Sequence, residues 1–283
     1  LRKILNPNNL SGSILSAIRK RSFYEPLEPR NAPTDTVIAS YNVHKCVGTD
    51  KQFAPERIAD VIGEINADVI ALQEADKRFG ERTGLLDLSR LYQNSGLVPV
   101  PITSFSEGGH GWHGNLLLFR EGLVREVRQL SLPGVEPRGA LMVDLELANG
   151  PLRIIAAHLG LLKKSRAQQA ETILSTMANS EFLPTLMIGD LNEWRVGKTS
   201  SLNALNPVFN PNAGVVPSFP SRFPVLALDR IMGAPHNLIT NIEVHDSPLA
   251  RIASDHLPIK AHIDLQATME RLSLIKDKVN PTK

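Results

Sequence analysis

This chain of 283 residues contains a single cysteine, Cys46, so it cannot form an intramolecular disulfide. A lone thiol fits a reducing compartment, and Cys46 reads as a small apolar filler rather than a nucleophile. No apolar run approaches the roughly 20 residues needed to span a bilayer. The opening residues, Leu1-Arg2-Lys3-Ile4-Leu5-Asn6-Pro7, lack the apolar centre of a secretory leader, so the expected location is cytoplasmic, if need be peripheral to a membrane. Nothing resembles a P-loop, a paired CxxC zinc site or a Gly-x-Ser-x-Gly elbow. No sequence period marks an internal repeat.

An excess of one charge is missing too. The chain carries 31 basic and 29 acidic side chains. Six of the basic groups (Arg2, Lys3, Arg19, Lys20, Arg21, Arg30) and three of the acidic ones (Glu25, Glu28, Asp35) lie in the first 35 residues, which leaves the remainder at −1. A body without a basic excess argues against indiscriminate duplex binding, whose footprint is a cationic stripe.

What is present is ordinary globular composition, 42% hydrophobic and 21% charged, enough for one sizeable core. Residues 1–35 read as a basic arm, with a short amphipathic helix over Ser11–Arg21 and a linker marked by Pro26, Pro29 and Pro33. Such an arm suits weak membrane-surface contact; the plainer alternatives are a helix packed on the body or an unstructured tail. Residues 36–268 read as one domain and 269–283 as a polar tail. Strands are expected at Val37–Val43, Val69–Gln73, Leu116–Phe119, Ala140–Leu147, Leu152–Ala157, Leu186–Ile188, Val225–Leu228, Ile239–Val244 and Leu257–Leu265. Asn149-Gly150 marks a hairpin turn. Helices are expected at Pro55–Asn66 and from an N-cap at Ser165 through Met177, with Ala170, Ile173, Leu174 and Met177 facing inward. Many strands with few helices suggest two packed sheets covered by helices.

Short polar sequences stand at or near the ends of the apolar runs: Tyr41-Asn42-Val43-His44, Gln73-Glu74, Ala157-His158-Leu159, Gly189-Asp190-Leu191-Asn192-Glu193, Leu228-Asp229-Arg230 and Ser254-Asp255-His256-Leu257-Pro258. Strands of one sheet can gather such ends on one rim, a polar pocket of carboxylates, amides and imidazoles suited to metal-assisted hydrolysis. In order and wording, from about Val37 to about Leu265, these sequences resemble the endonuclease/exonuclease/phosphatase superfamily, as a stand-alone bacterial-type member. The Gly-Asp-Leu-Asn and Ser-Asp-His-Leu-Pro stretches carry most of the likeness. The resemblance implies an α/β fold, a four-layer α/β/β/α sandwich of two mixed sheets flanked by helices.

It also implies roles. Glu74 is expected as the main ligand of Mg²⁺, or Mn²⁺ in its place, with Asn42 and Asp255 as further ligands. His256 paired with Asp229 is the expected acid-base group, and His158 a phosphate contact. Asp190 can accept the proton of an attacking water and Asn192 can orient the phosphate; whether Asp190 or His256 is the base stays open. His44 replaces the Asp of the apurinic/apyrimidinic endonucleases, which puts abasic-site activity and metal geometry in doubt. It stands with Asn115 and Arg138 as a substrate-contact candidate. In the glycine-rich Gly108–Asn115 segment, His110 and His113 are weaker candidates, and Trp194 is expected to pack. The expected function is metal-dependent phosphoester hydrolysis by in-line attack of an activated water, a phosphodiesterase or nuclease first. The alternatives are a lipid-headgroup phosphodiesterase of the sphingomyelinase kind, a phosphatase, or a non-catalytic phosphate-binding module. The expected partner is the substrate itself: nucleic acid, nucleotide or phospholipid headgroup. No stable protein partner is inferred.

Overall fold

The computed structural model describes residues 35–77, 83–103, 108–210 and 214–279. The arm helix over Ser11–Arg21 and the proline-marked linker lie outside the described residues. The strands are β1 (Thr36–Asn42), β2 (Val69–Gln73), β3 (Val98–Pro99), β4 (Leu116–Phe119), β5 (Leu123–Leu132), β6 (Arg138–Leu147), β7 (Gly150–His158), β8 (Thr185–Asp190), β9 (Asp229–Ala234), β10 (Ile239–Val244) and β11 (Ile259–Ile263). The helices are α1 (Pro55–Ile65), α2 (Leu88–Ser95), α3 (Lys163–Ala178), α4 (Ala250–Ala253) and α5 (Leu265–Val279). One mixed sheet runs β10-β11-β1-β2-β4-β3 and the other β5-β6-β7-β8-β9. No helix among the described residues is long and apolar enough to cross a membrane.

Period-two alternation explains the layering, because successive side chains of a strand point to opposite faces. Ile38, Val69, Ala71, Leu117, Leu141, Val143, Ile154, Leu186 and Ile188 share one core between the sheets. The opposite faces of β1, β2 and β4 bury Ala39, Tyr41, Ile70, Leu72 and Leu118 with Ile58, Val61, Ile62 and Ile65 of α1. The opposite faces of β6, β7 and β8 bury Ala140, Met142, Ile155 and Met187 with Ala170 and Ile173 of α3. Three cores separate four layers, the expected α/β/β/α sandwich. Each fully buried aliphatic side chain contributes roughly 1.5–3 kcal/mol.

Several expectations shift. The strand expected at Val225–Leu228 starts at Asp229 instead, since β9 pairs with β8 from Asp190↔Asp229 to Thr185↔Ala234 and Leu226 bridges to Phe219. Ser165 is not an N-cap: α3 begins at Lys163, and Ser165 is buried inside it. The helix start has no side-chain cap, and Arg166 Nη1 ties the preceding turn to the helix by donating to the carbonyls of Gly160 (3.1 Å) and Leu161 (2.6 Å). Leu174 and Met177 are only partly buried. The Asn149-Gly150 turn joins β6 to β7, where Leu147 pairs with Gly150. β5 was not anticipated. Among the described residues it pairs only with β6, and Arg125, Glu126 and Arg128 break its apolar alternation.

Candidate active site

The same alternation that fills the inter-sheet core delivers the polar residues. Continuing β8 from Leu186 and Ile188 on the inner face brings Asp190 onto that face at the strand end. His158 follows Leu152, Ile154 and Ala156 likewise, and Asp229 precedes Ile231. Register then aligns them: His158 sits opposite Asp190 in the parallel β7–β8 pair, and Asp190 opposite Asp229 in the antiparallel β8–β9 pair. Three adjacent strands thus carry His, Asp and Asp in one row at one rim. Asn42, in step with Ile38 and Ser40, reaches across from the other sheet, and its Nδ2 donates to Asp190 Oδ2 at 2.9 Å. Gly189 explains the glycine before Asp190. It sits at φ 140°, and a Cβ there would lie 1.8 Å from the Ala157 carbonyl oxygen.

His256 closes the row from the turn before β11. Its Nδ1 lies 2.8 Å from Asp229 Oδ2, its Nε2 lies 3.8 Å from Asp190 Oδ2, and Phe219 packs 4.8 Å from its ring. Ser218 Oγ donates to the same Asp229 oxygen. Burial alone would lower the His256 imidazole, but the carboxylates of Asp229 and then Asp190 outweigh it and push it up to about 10. Burial is the largest effect on Asp190 and raises it to about 6, against the lowering by His256 and by hydrogen bonds from Asn42 and the Asn192 amide. His158 Nε2 lies 3.5 Å from Asp190 Oδ2, and Arg138 Nη1 contacts it at 2.9 Å. Arginine only donates, so Nε2 accepts there and the ring proton sits on Nδ1.

A small open cleft adjoins this row, lined by Lys45, Glu74, Asp76, His113, Gly114, Pro137, Arg138 and His158. Glu74 and Asp76, two residues apart just beyond β2, both face it. Gly114 lets the neighbouring loop approach: at φ 85°, a Cβ there would already touch the Glu74 backbone and Asp76 Oδ1 at 3.4 Å. Lys45 pairs with Glu74 Oε2. It is delivered by three successive residues in the left-handed region, His44, Lys45 and Cys46, with φ of 44°, 54° and 59°. Backbone of that kind is costly for side chains with a Cβ and persists where the surroundings enforce it.

The other candidates lie as follows. Arg138 is buried and held by Glu136 Oε2 at 2.7 Å and 3.1 Å. Asn192 is left-handed, and its Nδ2 donates to the Leu159 carbonyl at 2.9 Å. Asn115 is fully buried and ties its loop to β6 through Gly139 O, 3.0 Å away. His44 Nδ1 donates to the Val47 carbonyl at 3.0 Å and lies 3.7 Å from Asp255 Oδ1. Neither Asn42 nor Asp255 is among the residues lining the cleft. Trp194 is 45% exposed rather than packed, with the Arg195 guanidinium 4.4 Å over its ring.

Sequence reasoning missed Lys45, Asp76, Glu136 and Ser218. Asp76 had a signal, its two-residue spacing from Glu74. Lys45 and Ser218 had none, because irregular backbone places both.

Glu193 is different in kind. It is fully buried and accepts from the Ser201 amide and hydroxyl (2.8 Å and 2.6 Å) and from Arg166 Nη2 (3.3 Å). Burial would raise its carboxyl, but the Ser201 bonds and the Arg195 amide prevail and hold it below the usual range. Glu193→Ala strands the buried Arg166, so we expect about 3–5 kcal/mol loss of stability in urea unfolding. The kcat of the folded fraction should change less than about tenfold, far less than for an acid-base group. A larger fall in kcat without loss of stability would contradict this structural role.

A carboxylate pair facing an open cleft is a hard-oxygen donor set that fits Mg²⁺ or a similar divalent ion. Asp190, Asp229 and His256 also bring ligand atoms within 4.8 Å of one another. That cluster suits a metal less well. A ring held protonated by two carboxylates already serves as their cation, and a metal ligand needs neutral imidazole.

Comparison with known proteins places the chain. Solved structures share the fold at low identity. An endonuclease/exonuclease/phosphatase protein from Beutenbergia cavernae is 21% identical with TM-score 0.61, covering 82% of this chain and 72% of that one. The mannosyl-6-phosphatase of Bacteroides thetaiotaomicron is 18% identical with TM-score 0.60, covering 80% and 98%. TDP2 of D. rerio, solved with a single-strand DNA product, is 15% identical with TM-score 0.60, covering 81% and 98%. No curated protein matches by sequence. The model of the Endonuclease/Exonuclease/phosphatase family matches residues 39–256, most of the chain and every residue of the row just described, and the protein belongs to that family.

Proposed function

We propose that this protein is a metal-dependent phosphoester hydrolase whose first substrate class is phosphodiesters, nucleic acid among them. One observation carries the reading: the in-register row His158, Asp190 and Asp229, closed by a His256 ring between two carboxylates. Two titratable groups, both raised but lying on opposite sides of neutral pH, support a base and a cationic partner. Asp190, up at about 6, is largely ionised at pH 7 yet basic enough to take a proton from an attacking water. His256, up at about 10, stays an imidazolium that stabilises negative charge developing on the phosphate. Asp229 orients its ring and Asn42 orients Asp190. Arg138 and His158 line the cleft beside this row. Glu74, with Asp76 beside it, would hold the divalent ion. Bound there, Mg²⁺ or Mn²⁺ supplies Lewis-acid polarisation of a phosphate oxygen.

The test is hydrolysis of bis-p-nitrophenyl phosphate beside p-nitrophenyl phosphate, with Mg²⁺, Mn²⁺ or EDTA. Diester cleavage abolished by EDTA is expected. Cleavage of the monoester alone would make the protein a phosphatase, and no turnover with any metal would support the non-catalytic module. In the same assay Glu74→Gln should lower kcat by on the order of a hundred-fold or more and raise the metal concentration for half activity at least about tenfold. An unchanged metal dependence would remove Glu74 from the metal site.

A further inference from the structure

Three turns leave the rim that carries the catalytic row. β6 starts beside the end of β7, with Ala140 opposite Ala157, and β7 ends beside the end of β8. The β5–β6 turn, the β7 exit and the β8 exit therefore share one edge. Each bears a bare apolar tip three or four residues from a site residue. Val135, near Arg138, is 81% exposed; Leu161, near His158, is 63%; and Trp194, near Asp190, is 45%. Leu162 and Val196 beside them are half exposed as well.

The tips are held together. Leu161 N donates to Glu136 Oε1 at 3.0 Å, joining the first turn to the second. Arg166 joins the second to the third, through the Leu161 carbonyl and Glu193 Oε2. Exposed apolar side chains fixed outward in this way do not collapse onto the body, and grouped exposure of this kind marks an interaction surface. The charges among them have one sign. Lys163, Lys164, Arg195 and Lys198 are exposed. The two acids of these turns are paired, Glu136 with Arg138 and Glu193 with Arg166 and, at 3.6 Å, with Arg195.

We propose that this rim docks on an anionic lipid bilayer and presents the cleft to phosphoesters carried at the membrane surface. Aliphatic tips that enter the headgroup layer and cations that meet its negative potential are the two parts such docking needs. Single-stranded nucleic acid would use the cations but needs aromatic faces for its bases. Four of the five tips are aliphatic, and the guanidinium of Arg195 covers one face of the fifth. The docking itself needs no turnover. Only the choice of substrate rests on the hydrolase reading.

The experiment is co-sedimentation of the full chain with phosphatidylcholine vesicles, with and without about one-third phosphatidylglycerol, at low and high salt. It uses wild type, Leu161→Glu with Val196→Glu, and Lys163→Glu with Lys164→Glu. Expected is salt-sensitive binding to the anionic vesicles, at least about tenfold weaker in each double variant, with bis-p-nitrophenyl phosphate cleavage within about twofold of wild type. Absence of vesicle binding, or binding by the double variants as tight as that of wild type, overturns the proposal. Binding of a single-stranded oligonucleotide that the same variants lose, with no vesicle binding, overturns it in favour of nucleic acid. Vesicle binding without turnover would fault the hydrolase reading and leave the docking surface standing.

Discussion

Asp190→Asn is expected to lower kcat for the diester by on the order of a thousand-fold, the usual scale for removing a general base. The amide keeps the size of the side chain but cannot take a proton. The substitution has a second, separable effect. In the native protein Asp190 is held at about 6 against an ordinary 3.8. A group raised on folding favours the fold below its unfolded value, and that contribution disappears as pH rises through the folded value. Between about pH 4 and 6, therefore, the wild-type fold loses stability that the non-ionising variant keeps. Asparagine also meets a conflict. Both Asp190 oxygens accept, from Asn42 Nδ2 and from the Asn192 amide, and an NH₂ must face one of those donors. That conflict offsets the variant at every pH, so the informative quantity is the change in the difference. Urea unfolding at pH 4.5 and pH 8 should show the comparison moving by about 1–3 kcal/mol in the variant's favour at the higher pH. A kcat within tenfold of wild type would remove Asp190 from the chemistry. A pH-independent difference would show that its carboxyl is not raised.

His256→Ala should be nearly as damaging, on the order of a hundred- to a thousand-fold in kcat, and should change the shape of the pH profile. Wild-type activity should rise as Asp190 ionises through about 6 and fall as His256 loses its proton through about 10. Removing the ring removes the alkaline fall. It also deletes a positive charge that lowers Asp190, so the acidic limb should move to higher pH. A profile that keeps its alkaline limb would assign that limb to another group. An unmoved acidic limb would argue that Asp190 and His256 do not sense each other across their 3.8 Å separation.

Much of this site was legible because strands impose a simple rule. Once Leu186 and Ile188 are read as inward, Asp190 is inward too, and the same count applies to His158 and Asn42. The Asp229–His256 pair was expected from the family's wording; its 2.8 Å contact depends on a turn that no periodicity describes. Asp229 opens a strand instead of following one, because an antiparallel strand starts at the rim where its neighbour ends. Lys45 was illegible for a related reason: three successive left-handed residues carry it, and local preference argues against such backbone. Asn115 and Glu193 show the converse. Both stand in suggestive segments, yet Glu193 and the Nδ2 of Asn115 spend their hydrogen bonds on holding the scaffold. The exposed apolar tips leave no trace in a pattern search, since single leucines and valines in loops resemble those of any core.

The bond from Asn42 to Asp190 joins the two plates of the sandwich at their working edge. Ser254, beside the His256 turn, grips the same residue from behind, its hydroxyl donating to the Asn42 carbonyl at 2.7 Å. Asp190 therefore takes its bearing from both plates at once. The gap between those plates is filled by aliphatic side chains that never meet substrate, Ile38, Ile154 and Ile188 among them. Close packing makes such a filling stiff, so it acts as a spacer whose thickness sets where the carboxylate stands. The alignment of this site is a dimension of the greasy interior, and a methylene added between the plates is a change of tolerance at the rim.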